Sequence, residues 1–219
     1  MIRARPSPEP RNFAVKVQQP GDAFIARTPN PTNADWCQHP YWQCAHTDLY
    51  DRYQGICMYC ASWTPRNINN RGLDHTSVDH YIPKSVDPKK AYRWDNFRLC
   101  RTRLNRRKGQ FQDVADPFLI SNGLFTIDFT TFLIRPNPTA LIHDADAVQK
   151  TIDRLQLNTD TDYVQERIEA IRSYCMQNGF TLQQFRLRYP FIADQMVRQN
   201  FDTVFKSKLK AIFNRFPAT

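Results

Sequence analysis

The sequence lacks any long apolar run and any apolar segment near its start. No hydrophobic stretch approaches the roughly 20 residues that a membrane-spanning helix needs. The first residues, MIRARPSPEPRN, do not contain the apolar stretch of a secretory signal. We therefore expect a cytoplasmic protein with no membrane partner.

Cysteine is too scarce for a disulfide scaffold, with six residues in a chain of 219. In a reducing compartment, a Cys-x-x-Cys pair such as Cys57/Cys60 indicates metal binding or redox chemistry first. We therefore expect thiols that are free or metal-bound.

Acidic residues are also in short supply: 21 Asp and Glu stand against 30 Lys and Arg, a formal net charge of +9. Ten basic and two acidic residues lie between Lys84 and Lys108, so a local net charge of +8 accounts for nearly all of the excess. A basic run is often only a solvated face, but a concentrated excess beside a candidate site favours nucleic acid as the partner. The predicted nucleic-acid-binding residues are Lys84, Arg98, Arg101, Arg103, Arg106 and Arg107.

Composition divides the chain into three parts. Residues 1–35 hold six prolines and few large aliphatic residues, which predicts an extended arm. Residues 36–143 contain a segment rich in aromatic residues and cysteine that is predicted to pack beside the site, the candidate site itself, and a β-type segment near 124–134. Residues 144–219 have the periodicity of four amphipathic helices. Thr181 with Gln184 predicts a capping box for the third, and the fourth follows Pro190. The predicted fold class is α+β, with a mainly helical C-terminal part.

The candidate site begins at the tripeptide Val78-Asp79-His80. Here the sequence predicts a strand (78–82), a loop, a second strand (96–100) and a helix from Thr102. Phosphodiester hydrolysis needs a base that takes a proton from water and a positive charge on the phosphoryl oxygens. Imidazole is a competent base at neutral pH, so His80 is the candidate base. Asp79 and Asn105 offer hard oxygen ligands, which predicts Mg²⁺ or Mn²⁺. Lys108, one helical turn beyond Asn105, is predicted to contact the phosphate.

The segments VDHYIP, WDNFRLC and LNRRKG together resemble the HNH endonucleases, whose ββα-metal motif would here take the form Asp-His, Asn, Asn. The resemblance implies that Asp79 and Asn105 bind the metal, that His80 activates water, and that Asn96 braces the histidine loop. With CMYC before these segments and VQKTIDRLQLN after them, the chain is also similar to the HNH nucleases of retron and Septu-type phage-defence systems. That similarity implies an antiviral effector with an ATPase partner. HNH chemistry permits either nucleic acid, and we expect DNA as the favoured substrate with RNA as the alternative.

The sequence departs from the family at one place. Many relatives carry a second Cys-x-x-Cys pair just before the final asparagine, where this chain has Arg101 and Leu104. A structural zinc at Cys57 and Cys60 would need substitute ligands, such as Cys100, Cys37, Cys44, His39 or His46. The departure counts against a complete zinc site, and buried free thiols are the alternative.

Two other functions stay open at this stage. The first is a catalytically silent module that binds nucleic acid or acts as an adaptor for an ATPase. The second, compatible with the nuclease, makes the C-terminal helices a platform for docking or self-association. An Asp-His pair alone is common by chance, but Asn96 and Asn105 at matching spacing favour the enzyme.

Overall fold

A computed structural model describes residues 1–66, 75–177, 179–201 and 203–215. Helices and two small antiparallel sheets give it an α+β fold. The helices are α1 (Gln19–Arg27), α2 (Asn33–Gln38), α3 (His46–Arg52), α4 (Thr102–Lys108), α5 (Ile142–Arg154), α6 (Thr161–Met176), α7 (Leu182–Arg186), α8 (Pro190–Arg198) and α9 (Thr203–Arg215). The strands are β1 (Thr76–His80), β2 (Phe97–Arg101), β3 (Phe125–Ile127) and β4 (Ile134–Pro136).

Strands β1 and β2 form an antiparallel pair in which His80 lies opposite Phe97. Helix α4 begins directly after β2 and contacts both strands. This is the predicted order of strand, loop, strand and helix. The pairing brings Asp79 and His80, at the end of β1, near the helix that carries Asn105.

The pair lies between two hydrophobic cores. One core, mainly aromatic, contains Phe97 and Leu99 of β2, and the other contains Cys100 of β2 and Leu104 of α4. Successive side chains of a strand point to opposite faces. Strand β2 is therefore buried on both faces along its whole length, which holds β1 and the site residues on a rigid support.

The N-terminal part is not the extended arm that its prolines suggested. Residues 14–27 form a π-helical turn that continues into α1, with Pro20 near the helix start, where proline is tolerated. Val17 and Phe24 are buried in the aromatic core. The prediction for residues 1–35 is wrong over this range because apolar residues at helical spacing outweigh the high proline content.

Strands β3 and β4 confirm the predicted β segment as two antiparallel strands, but they form a sheet of their own. The predicted capping box is present at the start of α7: Thr181 accepts from the backbone N–H of Gln184, whose side chain accepts from the backbone N–H of Thr181. The predicted last helix is instead two, α8 and α9, and between them Asn200 has a φ of +51°. No helix among the described residues has both the length and the apolar character to cross a bilayer.

Candidate active site

A cavity of about 330 Å³ opens where β1 ends beside α4. Asp79, His80 and Asn105 all line it, together with Lys84 and Trp42. The structure thus brings together the predicted base and both predicted metal ligands at one cavity.

His80 is half-buried, and its ring is held on three sides. The ring makes edge contacts with Trp42, at 5.1 Å between centroids, and with Phe97, at 5.3 Å. Its Nε2 atom lies 2.9 Å from the carbonyl oxygen of Ala91. A carbonyl only accepts, so Nε2 carries the proton and donates it. In the neutral ring, Nδ1 then keeps its lone pair and can accept a proton.

The charge state of His80 follows from its surroundings. Burial lowers the pKa of His80 to about 3, and the positive charges of Lys84 and Lys108 add to this effect. The imidazole is therefore neutral at pH 7, which is the form that a general base requires.

Asp79 is only 2% exposed. Its carboxylate accepts hydrogen bonds from two side chains. The hydroxyl of Tyr59 donates to Oδ2 at 2.6 Å, and the ammonium of Lys108 donates to Oδ1 at 3.2 Å. A carboxylate has about four acceptor positions. Its two oxygens therefore keep lone pairs that could bind a cation in the cavity.

The amide nitrogen of Asn105 is hydrogen-bonded within the protein, which leaves the amide oxygen without a bond in the described part of the chain. Nδ2 donates to Ser77 Oγ at 3.0 Å and to the carbonyl oxygen of Val78 at 3.1 Å. Since the Val78 carbonyl only accepts, the nitrogen must face it, and this fixes the orientation of the amide. Oδ1 makes no hydrogen bond to a described residue, so it is available to a metal ion.

Asn96 makes the bracing contacts that the sequence predicted for it. Its Nδ2 donates to the carbonyl oxygens of Ile82, at 2.9 Å, and Lys90, at 3.0 Å. Its Oδ1 accepts from the backbone N–H of Ile82 at 2.8 Å. These bonds tie both ends of the loop after His80 to the start of β2, so Asn96 is a positioning residue.

Lys108 does not occupy the place predicted for it. Its side chain is fully buried, and its ammonium donates to Asp79 Oδ1 and, at 2.8 Å, to the carbonyl oxygen of His80. The prediction of a phosphate contact is therefore wrong. Lys108 holds Asp79 and His80 in their relative positions, because its ammonium donates to both residues.

Lys84 is the predicted cation that does face the cavity. Its ammonium lies 3.9 Å from the centroid of the Trp42 ring and 5.2 Å from that of Trp36. A cation above an indole face is attracted by the negative charge of the π system. Burial lowers the pKa of Lys84. The two indoles hold this ammonium at the edge of the cavity.

The predicted nucleic-acid contacts of two arginines are wrong. Arg98 is 3% exposed and forms two hydrogen bonds with the carboxylate of Asp116, at 2.7 and 2.9 Å. Arg101 is buried and forms two with Glu166, at 2.6 and 3.1 Å. Both guanidinium groups are held in the interior because each is paired with a carboxylate from a later segment of the chain.

The arginines of α4 differ in whether a carboxylate reaches them. Arg103 and Arg107 both form ion pairs with Asp160, which precedes α6. Arg106 is exposed and forms no ion pair with a described residue. Of the six predicted nucleic-acid-binding residues, Lys84 and Arg106 are therefore the two best placed to meet a phosphate.

The three cysteines proposed for zinc lie together in the interior. The Cys57 thiol is within hydrogen-bonding reach of Cys60 and Cys100, and burial raises the pKa of Cys57 to about 12. The backbone of Arg101 donates to Cys57 Sγ and accepts from Cys100 Sγ, both at 3.2 Å. Among the described residues, no group of three His, Cys, Asp or Glu is arranged to hold a metal ion. Cys57 and Cys100 are buried, and Cys60 is half-buried.

The residues that pair with Asp79 and His80 carried no clear signal in the sequence. Tyr59 lies between the two cysteines of CMYC, and the Ala91 carbonyl is a backbone group that no motif marks. Trp42 belongs to the aromatic segment that was predicted to pack beside the site, and its contact with His80 confirms that prediction.

The donor set of the cavity fits a hard divalent cation. Asp79 supplies a carboxylate and Asn105 an amide oxygen, which are the ligand types that Mg²⁺ and Mn²⁺ prefer. Mg²⁺ keeps several water molecules and binds through one or two protein ligands plus substrate phosphate. Two protein oxygens at one cavity therefore meet the requirement.

The chain matches no protein-family model, no curated protein and no solved structure.

Proposed function

We propose that this protein is a metal-dependent endonuclease of the HNH type that hydrolyses phosphodiester bonds in nucleic acid. One observation carries the proposal: His80, with Nδ1 left as a proton acceptor, shares a cavity with the oxygen ligands of Asp79 and Asn105. General base and cation ligands at one opening are what phosphodiester hydrolysis requires.

In the proposed reaction, His80 takes a proton at Nδ1 from the attacking water. The bond from Nε2–H to Ala91 and the edge contacts with Trp42 and Phe97 keep Nδ1 oriented. A pKa near 3 makes this a weak base in the free protein. A phosphate entering the cavity brings negative charge, which favours the imidazolium and strengthens the base when substrate is present.

Charge on the phosphoryl group is balanced from two sides. A divalent ion held by Asp79 and Asn105 would act as a Lewis acid on a phosphoryl oxygen. Lys84 supplies a second positive charge at the edge of the same cavity. Lys108 stays behind Asp79 and keeps its carboxylate in position.

A second candidate function is a catalytically silent module that binds nucleic acid or a protein partner. The ion pair between Lys108 and Asp79 favours it, because an internal cation already balances the carboxylate that would bind metal. The free oxygen of Asn105 and the committed tautomer of His80 favour the enzyme, since a silent module needs neither.

The test is incubation of the full chain with plasmid, single-stranded DNA and tRNA, in Mg²⁺, Mn²⁺ or EDTA. We expect cleavage that requires the divalent ion and that falls at least about 100-fold in His80→Ala, which removes the base. His143→Ala is the matched control, because His143 is an exposed histidine outside the cavity.

We expect His143→Ala to cleave at the wild-type rate. Cleavage that persists in EDTA, or a His80→Ala variant as active as the control, would contradict the proposal. Ion-independent binding of nucleic acid without any cleavage would favour the silent module.

A further inference from the structure

A second cavity, of about 300 Å³, lies directly beside the candidate active site. Trp42 and Val78 line both cavities, so the two share a wall. A ligand that fills the first cavity and extends beyond Trp42 and Val78 would therefore enter the second cavity. The second cavity has a place in neither the metal site nor the proton transfer described above.

The lining of the second cavity is polar but carries no fixed charge among the described residues. It is formed by Trp42, Gln43, His46, His75, Ser77 and Thr102, with Thr76 and Val78. Side chains of this kind offer both donors and acceptors. A phosphate would require cations or a nest of N–H groups, so the lining suits a neutral polar ligand better.

The two histidines define what the cavity can recognise. Nε2 of His46 lies 2.9 Å from Thr76 Oγ1. Burial and the charge of Arg66 lower the pKa of His46, so its ring is neutral at pH 7. Nδ1 of His75 is buried and has no hydrogen-bond partner among the described residues. Buried polar atoms are nearly always paired, so an unpaired one in a residue that lines the cavity points to a partner that the described residues do not supply.

We propose that the second cavity binds a nucleobase that has been unstacked from the strand whose phosphodiester occupies the first cavity. This inference rests on the proposed function. A nucleobase is neutral, flat and rich in donors and acceptors, and proteins commonly read unstacked bases by hydrogen bonds beside an aromatic wall. When a phosphodiester of the strand lies at His80, the base next to it must lie to one side of the first cavity. The second cavity, which shares the wall of Trp42 and Val78, can receive that base. The substrate is therefore an unpaired strand or a duplex opened at the cleavage site.

The test is binding, measured without cleavage. In EDTA, fluorescence anisotropy compares a fluorescein-labelled oligothymidylate with an abasic oligonucleotide of the same length and charge. We expect the wild type to bind the strand that carries bases about tenfold more tightly, because one lodged base is worth on that order. In His75→Ala and in Gln43→Ala the ratio should fall towards one, while affinity for the abasic strand stays unchanged.

Two variants guard against a folding artefact. Gln43 is exposed, so its substitution leaves the core intact. His143→Ala, outside both cavities, should keep the wild-type ratio. The same ratio in wild type, His75→Ala and Gln43→Ala would overturn the inference.

This readout also separates the two proposals. If the ratio falls as expected but no ion-dependent cleavage is found, the second cavity is a base site and the proposed nuclease fails. If His80→Ala abolishes cleavage while the ratio never changes, the nuclease stands and the base site fails.

Discussion

Asp79 carries a negative charge where water reaches almost none of its surface. A buried carboxylate is tolerated only when donors replace the lost water, and here Tyr59 and Lys108 do so. Lys108 is itself fully buried, so each charge depends on the other. Removing one partner of a buried ion pair is strongly destabilising, because it leaves the other charge without compensation.

We predict that Lys108→Met lowers the free energy of unfolding in EDTA by about 3–5 kcal/mol, because Asp79 then keeps only the Tyr59 hydroxyl. Adding Mg²⁺ should recover part of this loss and raise the melting temperature more in the variant than in the wild type. A cation bound at Asp79 would replace the missing ammonium and no longer be repelled by it. Thermal denaturation with and without Mg²⁺ measures both effects.

The double variant Asp79→Asn/Lys108→Met is the control for that prediction. It removes both charges, so it should be more stable in EDTA than Lys108→Met alone. Its stability should not depend on Mg²⁺. A melting temperature of Lys108→Met that Mg²⁺ leaves unchanged would argue against Asp79 as a metal ligand.

At this scale, the sequence predicted which residues meet at the cavity but not how the cations are used. Asp79, His80 and Asn105 were found because a motif fixes their spacing along a strand and a helix. The role of Arg98 was missed because its partner, Asp116, lies 18 residues away on no recognisable pattern. A count of basic residues predicts the sign of the local charge. It does not predict which carboxylate each basic residue pairs with in the folded protein.

Among the elements, the end of β2 is tied to α6 by the ion pair of Arg101 and Glu166. The two side chains are 10% and 25% exposed, so the pair is largely shielded from water. Arg101 also lies over the ring of Tyr163, at 5.2 Å. The contact fixes the strand that pairs with β1 to the helical C-terminal part.

We predict that Glu166→Gln destabilises the protein by about 2–4 kcal/mol, because a buried guanidinium loses its counter-charge. The double variant Arg101→Met/Glu166→Leu should recover most of that loss, since an apolar pair of similar volume avoids the cost of burying two charges. Urea denaturation of the wild type, Arg101→Met, Glu166→Leu and the double variant gives the coupling energy. Additive losses, with no recovery, would show that the two residues stabilise the fold independently.

Secondary-structure elements were predicted most accurately from the sequence where a single helical or strand periodicity dominates. The order of β1, β2 and α4 and the capping box at Thr181 followed from local patterns. The helix at residues 14–27 was missed because prolines on both sides of it masked the spacing of Val17 and Phe24. The division between α8 and α9 depends on the backbone conformation at Asn200, which the hydrophobic pattern does not encode.

For the molecule as a whole, net charge and accessible charge are different quantities. The chain carries a net charge of +9, most of it in the stretch that forms β2 and α4. Folding places carboxylates from later segments against four of the six predicted nucleic-acid-binding residues. The positive field at the candidate site therefore comes from few side chains, chiefly Lys84 and Arg106.

We predict that this distribution appears in the salt dependence of nucleic-acid binding. Each phosphate neutralised on duplex DNA contributes a slope of about −0.9 to log K against log salt. Arg106→Gln should therefore make the slope shallower by about 0.9, because Arg106 is exposed on α4. Arg107→Gln is the matched control one residue away: its guanidinium is paired with Asp160, so the slope should stay at the wild-type value.

Anisotropy titrations in EDTA, between about 50 and 200 mM NaCl, measure the slopes. Equal changes in the two variants would show that the arginine bound to Asp160 is released to meet DNA.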